Sequence, residues 1–227
     1  MDARRDRGYQ VVKLYVEGGG DATALKTACR AGFAKFLDQA GLAGRMPRIV
    51  ACGSRADAYD SFCTAIGNGE AAMLLVDSEA PVLAAAQAGD ATKREDRDHW
   101  FPWLHLQQRK GDGWEKPANS DDLQCHLMVQ CMEAWLLADR QTLKQFFGQG
   151  FKENALPAAT NNLERTGKQQ IYTALATASR DCKTKSAYGK GEHSFKLLAL
   201  TDPLKVIDAS PWARRFIETL QTKMGSR

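Results

Sequence analysis

Three short apolar stretches, each followed by turn residues, mark the first third of the chain. They cover residues 11–16 (VVKLYV), 48–52 (RIVAC) and 71–76 (AAMLLV). Apolar runs of this length, bounded by glycine or polar residues, are typical of buried strands. We therefore predict three strands that share one hydrophobic sheet.

Segments with helical periodicity follow the first two predicted strands. Residues 22–40, with Asp21 as the expected N-cap, and residues 55–67 place apolar side chains on one face. Strands that alternate with helices favour a mostly parallel sheet with right-handed crossovers, covered on both faces. A fourth strand is expected at about 126–130, with a helix from Cys131. A single helix through this stretch is the alternative.

The alternation is lost over residues 84–122, which combine a charged stretch with a cluster of aromatic residues. We predict an irregular insertion there, which either lines the site or is simply packed down by its tryptophans. Further helices are predicted at 141–147, 168–179, 194–200 and 210–223. The expected architecture is an α/β core over residues 1–150, with about four strands flanked by helices, and a helical C-terminal extension over residues 151–227 packed on that core.

Charge and cysteine content place few limits on the partners. The net charge of +4 and the isoelectric point near 8.7 are compatible with a nucleic-acid partner but do not require one. The sequence shows no apolar signal segment and no run long enough to span a membrane, so we expect a cytoplasmic protein without membrane contact. The six cysteines form no CxxC pair, which predicts reduced thiols rather than a zinc site.

Acidic residues follow the predicted strands. Glu17 comes directly after the first strand, Asp77 and Glu79 come after the third, and Glu133 lies inside or just after the fourth. Neighbouring parallel strands would bring these carboxylates into one cleft, where Mg²⁺ or Mn²⁺ offsets their repulsion. Glu17 as a turn residue and Asp77 as a helix cap are the structural alternatives. Glu133, in an apolar stretch, needs a partner or a metal.

Basic residues supply candidate contacts with phosphate. Arg45, Arg48 and Arg55 flank the second predicted strand, and Lys190 and His193 lie in the GKGEH segment. We predict that Lys190 is a catalytic group that steadies developing negative charge and that the other four bind nucleic acid. Ordinary surface positions are the alternative for each.

Two motifs resemble those of Toprim domains. KLYVEGGGD (13–21) resembles the first Toprim motif, in which a glutamate follows the first strand. VDSE (76–79) resembles the second, an Asp-x-Asp motif whose second acid is glutamate here. Most of the chain also resembles a family of uncharacterised bacterial Toprim-like proteins related to the overcoming-lysogenisation-defect nucleases. The matching stretches are EGGGD, GRMPRIVACG, LLVDSEAP, HLMVQCMEAWLLAD and YGKG-x-HSF.

The resemblance implies a Toprim-like Rossmannoid fold and metal-dependent phosphodiester chemistry. It assigns Glu17 as base or metal ligand, Asp77 and Glu79 as metal ligands, and Glu133 as an additional catalytic acid. It also implies DNA or tRNA as substrate, a role in anti-phage defence and an ABC-type ATPase partner, and a homo-oligomer is compatible with it. We therefore predict an Mg²⁺-dependent endonuclease. The alternatives are a catalytically silent module that docks to an ATPase and a phosphohydrolase of small substrates.

Overall fold

Four parallel strands form the central sheet of this computed structural model, which describes residues 11–158 and 162–225. The strands are β1 (Lys13–Gly19), β2 (Arg48–Gly53), β3 (Ala72–Asp77) and β4 (Cys125–Met128). Their order is β2-β1-β3-β4, and every adjacent pair is parallel. The predicted α/β fold, with about four strands in a parallel sheet, is confirmed.

Helices flank the sheet and make up the C-terminal portion, as predicted. Those in the described ranges are α1 (Thr23–Leu37), α2 (Arg55–Gly67), α3 (Arg94–Asp98), α4 (Pro102–Gln108), α5 (Glu133–Leu136), α6 (Arg140–Phe147), α7 (Lys168–Ser179), α8 (Ser194–Leu198), α9 (Pro203–Ala209) and α10 (Pro211–Gly225). Among the described residues, no helix combines the length and apolar character that crossing a bilayer requires.

The sheet is buried on both faces because β3, one of its two inner strands, is apolar at successive positions. In β3, Met73 and Leu75 belong to one core cluster, while Leu74 and Val76 belong to a second cluster on the other face. This division follows from the two-residue period of a strand. The first cluster runs from β1 into the C-terminal helices, so the core and the predicted extension share one hydrophobic interior.

Some local boundaries differ from the predictions. β1 continues through Glu17 to Gly19, because Gly18 and Gly19 still pair with Gly53 of β2 through a bulge in β1. Glu17 therefore lies within the strand, and not after it. The N-cap of α1 is Ala22, without a side-chain hydrogen bond, so the prediction of Asp21 as the cap was wrong.

The segment predicted as an irregular insertion, residues 84–122, contains the two short helices α3 and α4 and covers the second face of the sheet. Trp100 and Trp103 are buried in the second core cluster. Trp114 stacks on Tyr59 of α2, with ring centroids 4.6 Å apart. The tryptophans thus pack the insertion onto the sheet.

A buried arginine joins α10 to the insertion and to the sheet. Arg215 is fully buried and donates hydrogen bonds to the carbonyl oxygens of Arg97, Asp122 and Cys125. Burial lowers the pKa of its guanidinium to about 10. Because these carbonyls belong to α3, to the segment before β4 and to β4 itself, one side chain ties three parts of the chain together.

Arg215→Ala is expected to lower the free energy of unfolding by about 3 kcal/mol, since it leaves buried carbonyl oxygens without donors and opens a cavity. The control is the neighbouring Arg214→Ala. Arg214 pairs with an exposed carboxylate of Asp208, so its loss should cost less than about 1 kcal/mol. Urea unfolding of both variants measures the difference, and equal losses would contradict the assigned role of Arg215.

Candidate functional site

The candidate site lies at the carboxyl edge of the sheet, where the strand order reverses. β1 and β3 are neighbours, but the chain leaves β1 for β2 on the other side, so a crevice forms between β1 and β3. Glu17 lies near the end of β1, Asp77 is the last residue of β3, and Glu79 follows. Oxygens of these three carboxylates all lie within 4.8 Å of one another. The structure brings together the three acids that were predicted as metal ligands.

Backbone hydrogen bonds orient two of these acids. Glu17 Oε2 accepts a hydrogen bond from the Asp77 amide at 2.8 Å, and Asp77 Oδ1 accepts one from the Met132 amide at 2.8 Å. Burial, and then repulsion from Glu17, raises the pKa of Asp77 well above its ordinary value. Burial also raises the pKa of Glu17. Two carboxylates in this environment favour a cation beside them.

Glu79 adopts an unusual backbone conformation for a residue with a side chain. Its φ is 63°, in the left-handed region. Its amide donates to the carbonyl of Gln130 at 2.9 Å, which fixes the turn after β3. Such conformations persist where the surrounding structure enforces them, and they cluster at functional sites.

Among the described residues, two cations contact the acids, and one of them, Arg55, was predicted from the sequence. Arg55 Nε lies 3.4 Å from Glu17 Oε2 and donates to the Asp77 carbonyl at 3.0 Å. Lys168, the first residue of α7, places Nζ 3.2 Å from Asp77 Oδ2 and 2.6 Å from Glu79 Oε1. Sequence reasoning missed Lys168 because tertiary packing alone brings it to the acids. One feature of the sequence could have pointed to Lys168. It begins a predicted helix whose first turn holds no acidic residue, and the helix dipole disfavours a cation there, so a carboxylate from elsewhere in the chain is expected beside it.

The insertion holds Arg55 in place. Asp112 accepts hydrogen bonds from both terminal nitrogens of Arg55, at 2.6 and 3.0 Å, and a further one from Arg109 at 2.8 Å. The ring centre of Trp114 lies 4.6 Å from the Arg55 guanidinium carbon. Asp112 therefore binds the two terminal nitrogens of Arg55, and the remaining nitrogen, Nε, faces the site. The insertion both packs onto the sheet and supports the site.

Glu133 is buried, but it lies outside the three-acid cluster. Its carboxylate accepts hydrogen bonds from the hydroxyls of Tyr172 at 3.1 Å, Tyr188 at 3.2 Å and Ser194 at 3.1 Å. These donors come from α7, from the segment before α8 and from α8. The sequence predicted that a buried Glu133 needs a partner or a metal, and the structure supplies hydroxyl partners.

A cavity of about 240 Å³ opens beside the acids. Its lining includes Glu17, Asp77, Glu133 and Lys190. Lys190 is exposed and donates from Nζ to the Tyr172 hydroxyl at 3.0 Å. Lys190 therefore reaches the cavity but does not pair with the metal-ligand candidates.

Three predicted nucleic-acid contacts do not meet the acids. Arg48 begins β2, at the opposite edge of the sheet from Glu17, and Arg45 is exposed just before it. His193 is 3% exposed, and its Nδ1 accepts a hydrogen bond from the Gly189 amide. Burial lowers the pKa of His193. The structure places this histidine among aromatic rings, outside the cavity lining.

The glycines after Glu17 are required by close packing. A Cβ at Gly18 would lie 2.8 Å from a ring carbon of Phe195, and one at Gly19 would lie 2.8 Å from the backbone of Lys26. Both glycines also have positive φ, of 136° and 90°. Larger residues would push α1 and α8 away from the cavity that these glycines line.

Asp77→Asn is expected to stabilise the metal-free fold at neutral pH. The raised pKa of Asp77 means that the folded state binds this proton more tightly than the unfolded state. Ionisation of Asp77 therefore costs stability as the pH rises above the ordinary value of 3.8. Thermal unfolding in EDTA should show a higher melting temperature for the variant than for wild type at neutral pH. This difference should disappear below about pH 4. A loss at neutral pH would mean that pairing with Lys168 outweighs burial.

Comparison with known proteins identifies the family of the chain. Neither the curated proteins nor the solved structures contain a match to it. One family model, described as a domain of unknown function (DUF4276), matches residues 16–221, a range that includes the three acids and Lys168. Because this match covers most of the sequence and the whole candidate site, the protein belongs to the DUF4276 family.

Proposed function

We propose that this protein is a metal-dependent enzyme that hydrolyses phosphodiester bonds in nucleic acid. The observation that carries the proposal is the approach of Glu17, Asp77 and Glu79 to within 4.8 Å at the reversal of strand order. Carboxylate oxygens are the ligands that Mg²⁺ and Mn²⁺ prefer. Oxygens on one Mg²⁺ lie at most about 4.2 Å apart, so small side-chain movements would complete the set.

Each residue of the site has a place in this chemistry. A bound divalent ion would supply a polarised phosphate and an activated water. Asp77 and Glu79 would hold the ion from the end of β3. Glu17 is positioned either to share in holding it or to accept the proton of the attacking water. Arg55, fixed by Asp112, would remain beside the negative charge that develops on the phosphate.

The resemblance to Toprim nucleases extends the proposal beyond the geometry of the site. It supports DNA or tRNA as substrate and an effector role in anti-phage defence, in the cytoplasm and beside an ABC-type ATPase. The same resemblance is compatible with a homo-oligomer. Copurification of the ATPase with the tagged protein from its own cells would test the partnership directly.

The cavity favours one alternative, a phosphohydrolase that acts on small substrates. The cavity has a volume of about 240 Å³ and lies beside the acids. Leu25 and Phe195 form part of its wall. Apolar walls next to a metal site would suit the base or sugar of a free nucleotide as well as one nucleotide of a polymer. The two readings require the same carboxylates and differ in the length of the substrate.

Glu17→Gln is expected to reduce hydrolysis about a hundredfold or more, since it removes either a ligand or the proton acceptor. The substrates are plasmid DNA, single-stranded DNA, tRNA and free nucleotides, each with Mg²⁺, with Mn²⁺ and with EDTA. The control is Glu70→Gln. Glu70 pairs with Lys13 at the opposite edge of the sheet from the acids. It should leave the rate within about twofold of wild type.

The substrate that reacts decides between the candidates. Metal-dependent cleavage of polymers alone supports the nuclease, and hydrolysis of nucleotides alone supports the phosphohydrolase. Metal binding without hydrolysis indicates an enzyme that is inactive until a partner protein activates it. If wild type neither binds Mn²⁺ nor cleaves any substrate, the proposal fails and a silent docking module becomes the better explanation.

A further inference from the structure

Lys168 occupies the position at the acids where a bound cation would be expected. Its Nζ lies 3.2 Å from Asp77 Oδ2 and 2.6 Å from Glu79 Oε1. Both oxygens belong to carboxylates of the candidate metal site. A positive charge of the protein itself therefore already holds two of the three predicted ligands.

This pairing differs from an ordinary surface ion pair. The side chains of Lys168, Asp77 and Glu79 are 21%, 3% and 22% exposed. Burial alone would lower the pKa of Lys168, but attraction from Asp77 and Glu79 raises it instead. Lys168 also begins α7, where the helix dipole disfavours a cation, so the carboxylates must overcome this disadvantage. The attraction of Asp77 and Glu79 therefore keeps the Lys168 ammonium in place against burial and the helix dipole.

Lys168 also balances the charge of the site. Glu17, Asp77 and Glu79 carry three negative charges when ionised, and Arg55 and Lys168 are the cations in direct contact with them among the described residues. Arg55 is locked to Asp112 through both terminal nitrogens. Lys168 has a flexible four-carbon stem and follows Gly167, so it is the cation that can move away.

We propose that Lys168 is a resident counter-ion that a divalent cation must displace, and that it thereby sets the metal affinity of the site. The inference rests on the proposed metal centre and adds how that centre is controlled. A divalent ion at about 2.1 Å from the same oxygens would leave Nζ close to a second positive charge. The ammonium must then leave the acids, and its displacement opposes binding of the metal.

Lys168→Met is the direct test, because methionine keeps most of the side-chain volume and removes the charge. We expect Mn²⁺ to bind the variant about tenfold more tightly than wild type, within the usual range of coupling between two sites. Isothermal titration calorimetry measures both affinities, after circular dichroism has shown that the variant is folded. Lys168→Arg, which keeps a cation at the acids, should bind Mn²⁺ about as weakly as wild type.

Lys205→Met is the matched control. Lys205 Nζ lies 2.7 Å from Oδ1 of Asp139, a buried carboxylate outside the candidate site. This variant also removes an ammonium from a buried aspartate, but its Mn²⁺ affinity should equal that of wild type. A gain in affinity in both variants would show a general effect of net charge and would overturn the proposal.

A second measurement needs no variant and covers the case in which Lys168→Met does not fold. An ammonium held between two carboxylates reacts slowly with amine-directed acylating reagents. Addition of Mn²⁺ to wild type should increase acylation of Lys168 severalfold, while acylation of the exposed Lys196 stays constant, as measured by mass spectrometry. Unchanged or reduced acylation of Lys168 in the metal-bound protein would contradict its displacement.

The outcomes separate this inference from the proposed function. If wild type binds Mn²⁺ and Lys168→Met binds it equally or more weakly, the metal centre stands and the inference fails. If neither protein binds Mn²⁺, the metal centre and the inference fail together. Tighter binding by Lys168→Met, with wild-type affinity in Lys168→Arg and Lys205→Met, supports the counter-ion.

Discussion

The structure around the sheet depends on one constraint, the burial of the Asp77 carboxylate at the end of the central strand β3. This side chain is 3% exposed, and burial raises its pKa well above the ordinary value. A carboxylate in this position must be met by donors and by positive charge. The Met132 amide and the Lys168 ammonium donate hydrogen bonds to the Asp77 carboxylate. The Asp77 amide in turn donates to Glu17 and orients it. The surrounding segments can be understood as the sources of these groups.

Segments outside the sheet contribute groups that contact or support the acids. The insertion supplies Asp112, which aligns Arg55 beside Glu17. Helix α7 supplies Lys168 for Asp77 and Glu79, and it supplies a hydroxyl for the buried Glu133 nearby. The site therefore depends on the insertion and on α7, although the acids themselves come from β1 and from the end of β3 and the turn after it. The hydrophobic core that the C-terminal helices share with the sheet holds α7 where Lys168 can reach the acids.

The pairing of acids with resident cations bears directly on the proposed chemistry. Three ionised carboxylates this close together repel one another, so they favour positive charge between them. Here Lys168 and Arg55 are placed against the same acids, and Asp112 binds Arg55 through both terminal nitrogens. In the proposed mechanism Arg55 stabilises negative charge on the phosphate, whereas Lys168 competes with the metal for the carboxylates.

Local sequence patterns were enough to predict most of the sheet and the acids at its edge. Continuous apolar runs and intervening helical periodicity were sufficient for the first three strands, and α2 was predicted at its observed bounds, Arg55–Gly67. The fourth strand was predicted with a single helix as the alternative, and the structure shows the strand. Glu17, Asp77 and Glu79 were predictable because parallel strands end at one edge, so positions close to strand ends become neighbours in space. Tertiary structure alone decided the rest. Lys168 lies 91 residues from Asp77, and Asp112 lies 57 residues from Arg55. No local pattern encodes such contacts, because they depend on how helices and the insertion pack around the finished sheet. For the same reason Glu133, predictable as a buried acid, received its hydroxyl partners only from the folded chain.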